Sequence, residues 1–135
     1  MSRSLNFFAV LLSLAILSLH PPSGKACKTL ASSVSPGWTQ GDATQCLYNA
    51  ITSTACDTVV VDLQSDAWEV NPLEFNSVAA LNNKVIIFEP GVVVKARAGF
   101  GTKDALFAFS DCDEFKMIAY GSVFSMRNAD YTTGE

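Results

Sequence analysis

The sequence predicts a mainly β fold in which short strands stack as a solenoid of about three partial coils, with one α-helix over its beginning. Three observations lead there. A pattern of two short apolar runs around a glycine occurs twice, thirty residues apart: Val85-Ile86-Ile87-Phe88, Gly91, Val92-Val93-Val94, Arg97, and then Phe115-Lys116-Met117-Ile118, Gly121, Ser122-Val123-Phe124, Arg127. A weaker copy begins 26 residues before the first, with Val59-Val60-Val61 and then Trp68-Glu69-Val70. Runs this short, rich in Val, Ile and Phe and bounded by Gly, Pro or Asn, read as buried strands. Finally, a single segment, Asp42 to Ser53, has helical periodicity.

Taken in order, residues 1–26 read as a secretory signal peptide. Arg3 precedes an apolar run from Leu5 to Leu19, His20-Pro21-Pro22 breaks it, and Gly24 and Ala26 are small residues suited to cleavage after Ala26. The run is too short to span a bilayer comfortably. Residues 27–41, rich in Ser, Thr and Gly, read as an extended leader whose Trp38 packs on the first coil. In the helix, Asp42 is the expected N-cap and Gln45 completes a capping box. Ala43, Cys46, Leu47, Ala50 and Ile51 form one apolar stripe. One apolar face covers one thing, here the open end of the strand stack.

Thr58–Leu63, Asp66–Val70 and Leu73–Phe75 are the expected strands of the first coil. Asn71-Pro72 lies at a corner, where proline is harmless to the ladder. Asn82-Asn83 makes the next corner, since Asn tolerates left-handed backbone. Val85–Phe88 and Val92–Ala96 begin the second coil, and Ala105–Phe109 closes it after a loop at 98–104. Asp111 to Glu114 turn the corner, and Phe115–Ala119 and Ser122–Met126 begin a third coil. With no capping segment after Met126, the row Phe115, Met117, Val123 and Phe124 is expected to be open and to favour self-association. The domain thus covers 42–135 and is expected to be the incomplete N-terminal part of something longer.

Pro72-Leu73-Glu74-Phe75, the stretch from Asn83 to Val94, Ala105-Leu106-Phe107 and Ile118-Ala119-Tyr120-Gly121 resemble the start of a right-handed parallel β-helix of the pectate-lyase-like (pectin-lyase fold) superfamily. The resemblance covers residues 42–135 and is specific to fold more than to activity. It implies a capping helix at the N-terminus and polysaccharide as the partner. The polygalacturonase motifs and the Arg-centred pectate-lyase motifs are absent. An immunoglobulin-like sandwich built on Cys46, Trp68 and Cys112 fits poorly. Its expected tyrosine is Ser110 here, and it has no place for the helix.

Composition narrows the chemistry. The chain carries 9 basic and 13 acidic residues; without Arg3 and Lys25 the mature net charge is −6. That balance disfavours nucleic acid and anionic membranes. The single histidine, His20, lies in the signal segment, so the mature chain lacks the imidazole of Ser-His-Asp, Cys-His or His-zinc chemistry. Four cysteines, Cys27, Cys46, Cys56 and Cys112, allow three pairings in an exported protein. Cys46 with Cys56 is the expected pair, joining the helix to the next strand.

Asp111, Asp113 and Glu114 are the densest carboxylates, a candidate calcium site or else a solvated corner. Glu69, Glu74 and Glu89 are the remaining acid–base candidates for glycan chemistry. Arg97 and Arg127, with Lys95 nearby, form a candidate basic column for an acidic sugar, although such residues more often snorkel over apolar surface. Tyr120, with Trp68 and Tyr131, is a candidate sugar-stacking aromatic.

Overall fold

The computed structural model describes residues 26–131. Apart from Ala26, the expected signal peptide lies outside the described residues. The described residues are mainly β, with one α-helix and three parallel sheets. Strand β1 is Lys28–Leu30, and helix α1 is Thr44–Thr52. The strands β2 (Thr58–Val61), β3 (Trp68–Val70) and β4 (Leu73–Asn76) make one circuit. A second circuit comprises β5 (Val85–Phe88), β6 (Val93–Ala96) and β7 (Phe107–Ser110); β8 (Lys116–Ile118) and β9 (Val123–Ser125) begin a third. Each sheet collects equivalent strands of successive circuits: β1-β2-β5-β8, β3-β6-β9 and β4-β7.

Alternation along the strands explains the core. Val59 and Val61, Ile86 and Phe88, Val70, Val94, Ala96, Leu73 and Phe75 are all buried, while the residues between them are wholly or partly exposed. Corners fall where the sequence provides for them. Asn83 has φ 61°, and Gly91 and Gly121 have φ 89° and 74°. The two glycines stay in step through a hydrogen bond from Gly91 N to Gly121 O, 2.8 Å.

The register departs from the repeat alignment by one residue in the first sheet. Val85 pairs with Lys116 rather than Phe115, and Val59 pairs with Ile86 rather than Val85. A one-residue slip exchanges the two faces of a strand. Pairing Ile86 with Lys116 would set a lysine behind a fully buried position; the observed register sets Met117 there and turns Lys116 outward.

The leader also does more than expected. Its β1 pairs in parallel with β2, so the sheet starts one strand before Thr58. Trp38 packs on the core as expected. The helix stripe agrees with its sequence reading: Ala43, Cys46, Leu47, Ala50 and Ile51 are all buried. The capping box does not form. Asp42 Oδ1 accepts from Thr44 N and Oγ1, while Gln45 Nε2 donates to Asn49 Oδ1. Ala43 N donates to Glu69 O at 2.8 Å, and Thr44 Oγ1 accepts from Asn71 N at 2.9 Å. The helix therefore docks on the first strand of the β3-β6-β9 sheet, and β1 shields β2. Two elements share the closure assigned to the helix alone.

An aromatic ladder runs along the β4-β7 sheet. Tyr48 of α1 stacks on Phe75 at 5.2 Å, Phe75 on Phe109 at 5.0 Å, and Phe109 packs on Phe115 at 4.5 Å. These spacings track the roughly 4.8 Å step between paired strands.

Candidate functional site

The outer face of the β3-β6-β9 sheet gathers part of the expected basic column. Glu69 and Lys95 are register partners, and Lys95 is in turn level with Ser125. Lys95 Nζ lies 3.5 Å from Glu69 Oε1, with both side chains substantially solvated. Arg97 lies just beyond β6, where its backbone N donates to Val70 O, and its guanidinium reaches Asp42 Oδ2 at 2.7 Å. The Thr44 hydroxyl first, then the Thr44 backbone N–H and last Arg97, hold the Asp42 carboxyl below its ordinary value against desolvation. Lys95 and Arg97 thus share a face, but a carboxylate matches each of them, so the strip alternates in charge. Arg127, thirty residues after Arg97 like the β6 and β9 register partners, lies two residues beyond β9 and is exposed. Tyr120 stands 84% exposed at the corner between β8 and β9. Trp68 is not a surface aromatic: it is fully buried, and its indole N–H donates to Asp62 O. A stacking role for Tyr131's side chain lies outside the described burial.

The carboxylates separate by role. Glu89 staples a corner, accepting from Leu63 N at 2.8 Å. Asp111 and Glu114 occupy left-handed backbone at φ 51° and 54°, the geometry of a tight exposed corner. Among the described residues no group of three His, Cys, Asp or Glu side chains is placed to hold a metal ion. Glu74 is exposed on β4 and faces a groove of about 500 Å³ between α1 and the β3–β4 corner, lined also by Thr44, Gln45, Tyr48, Pro72 and Leu73.

The disulfide corrects the expected pairing. Cys27 bonds Cys56, not Cys46, with Cα atoms 4.9 Å apart. Cys46 faces inward on the apolar stripe, its Sγ donating to Ala31 O at 3.1 Å, and burial pushes its thiol pKa up. The pairing of β1 with β2 brings Cys27 beside Cys56, since Thr58 N donates to Cys27 O at 3.2 Å. Cys112 is a half-buried free thiol.

Lys84 is the buried cation that sequence reasoning missed. It is 3% exposed, and its ammonium donates to Ser53 O, at the C-terminus of α1, and to Cys56 O at 2.6 Å. Burial lowers its pKa, and Asp57 opposes this. It lines a cavity of about 470 Å³ with Cys56, Asp57 and Asn82. Its one sequence signal was its place between the Asn82-Asn83 corner and an apolar run, where a cation can reach a helix end.

The opposite end carries an apolar groove of about 400 Å³ lined by Leu106, Phe107, Met117, Phe124 and Met126. The chain matches no protein-family model, no curated protein and no solved structure.

Proposed function

We propose that this chain is the N-terminal part of a secreted, right-handed parallel β-helix protein of the pectate-lyase-like type, which engages polysaccharide and is by itself non-catalytic. The observation that carries the reading is the recurrence of every third strand in the same parallel sheet, from one circuit to the next. Parallel strands joined by a crossover connection are right-handed in nearly all cases, which supports the handedness. The Cys27–Cys56 disulfide fits an oxidising compartment and hence export. The polygalacturonase and Arg-centred pectate-lyase motifs are absent from the sequence, which supports a non-catalytic role for this part; the lack of histidine after residue 20 bears only on Ser-His-Asp, Cys-His and His-zinc chemistry. Further coils would stack on the edges of β8 and β9.

A second reading is a secreted β-helix that binds glycan at a surface without catalysis anywhere. The matching of Lys95 by Glu69 and of Arg97 by Asp42 favours it, since an alternating strip is a weak anchor for a polyanion. The coding sequence after Glu135 discriminates: coils with clustered Asp, Lys or Arg on one strand face support the enzyme.

The direct test uses residues 27–135 with the disulfide formed. Incubated with polygalacturonate or neutral glycans, with and without calcium, it should release neither unsaturated nor reducing ends. It should bind hydrophobic dye and self-associate through its open end. Turnover by a dye-negative monomer would defeat the proposal.

A further inference from the structure

We propose that the groove between α1 and the β3–β4 corner is a binding site for a neutral pyranose chain. The inference rests on the polysaccharide reading above and gives it a place and a ligand class. Tyr48 contributes an aromatic wall whose plane is fixed: its ring lies 8° from parallel to Phe75, which lies 12° from parallel to Phe109. A ring held this way loses little freedom when a sugar's C–H face stacks on it. Pro72, half-buried, supplies apolar surface beside it.

Hydrogen-bonding groups stand at the same walls. Gln45 is exposed, and its amide nitrogen is committed to Asn49 Oδ1, which leaves its carbonyl oxygen as an acceptor. Glu74 presents an exposed carboxylate from β4. Aromatic and apolar walls with a few placed polar groups are the make-up of a ligand cleft, and about 500 Å³ lies within the usual range.

Charge decides the ligand class. The groove lining contains Glu74 and no Lys, Arg or His. A uronic acid would set its carboxylate against Glu74, whereas neutral hydroxyls can donate to it. The groove therefore selects against acidic sugars.

The test is titration of the disulfide-bonded 27–135 chain with cellohexaose and, separately, with trigalacturonate, followed by amide chemical shifts. Cellohexaose should perturb residues 44–48 and 72–74 saturably, and trigalacturonate should not. Glu74→Gln should weaken cellohexaose about fivefold, the loss expected for one charge-assisted hydrogen bond. Tyr48→Leu should weaken it about tenfold. Because Tyr48→Leu also removes the Phe75 stack, Tyr48→Phe serves beside it, keeping both the ring and the binding. Preference for trigalacturonate in the groove overturns the inference. Cellohexaose binding that responds to Lys95→Ala but not to Glu74→Gln overturns the groove and leaves the wider reading standing. Binding of neither sugar overturns both.

Discussion

Ile86 and Met117 are register partners in one sheet, yet Ile86 is fully buried and Met117 is 36% exposed. The same holds one sheet over: Val94 is fully buried and its partner Phe124 is 39% exposed. The strands are alike; their neighbours differ. Towards the N-terminus, β1 shields β2, and α1 lays Ala43, Cys46, Leu47, Ala50 and Ile51 over the start of the stack. Beyond β8 and β9, no described strand pairs and no described helix covers them. Burial in a stack of parallel strands is thus a property of the rung above and the rung below, not of the strand's own composition. Unpaired edges with apolar side chains seek partners, so the two ends should respond to substitution in opposite ways.

The largest effect is expected at the sealed end. Leu47→Asp buries a charge without a partner and should abolish the cooperative thermal transition followed by circular dichroism. A melting temperature equal to the parent's would mean that α1 does not seal the stack. Removing the disulfide should come next. Closing the 29-residue separation between Cys27 and Cys56 is worth about 3–4 kcal/mol by chain entropy. Cys27→Ser should show this in denaturant unfolding, and should leave β1 and the edge of β2 open to hydrogen exchange.

Lys84→Met should cost about 1–3 kcal/mol, because the carbonyls of the half-buried Ser53 and Cys56 lose their donor. The pH dependence has a definite sign. Burial sets the folded pKa of Lys84 below its ordinary 10.5, so the unfolded chain holds more protons between the two values. Parent stability, measured against the Lys84→Met variant, should rise with pH through that window and level off above 10.5. A fall there would reverse the assignment. The smallest effect belongs to the open end. Met117→Asp should change stability by less than about 1 kcal/mol while reducing dye binding and self-association. If it unfolds the chain as Leu47→Asp does, the contrast between the ends is wrong.

Much of this was legible in the residues. The strand positions followed from apolar runs bounded by Asn, Pro and Gly. The helix stripe followed from i, i+3, i+4 spacing, and left-handed Asn83 from its corner. Of the candidate site, Arg97 and Arg127 were aligned by their place after equivalent runs, with Lys95 nearby, but the carboxylates opposite Lys95 and Arg97 were not legible. Asp42 stands 55 residues from Arg97 in the chain, and nothing local signals that contact. The sequence by itself determined which side of each strand and helix is apolar, because periodicities of 2 and 3.6 residues are written locally. The tertiary structure alone decided the one-residue register that keeps Lys116 outside, the recruitment of β1 and the choice of Cys27 over Cys46 for Cys56. It also set Lys84 on the end of α1. Each of these depends on which distant segment comes alongside, and side-chain periodicity fixes a residue's face without fixing its neighbour.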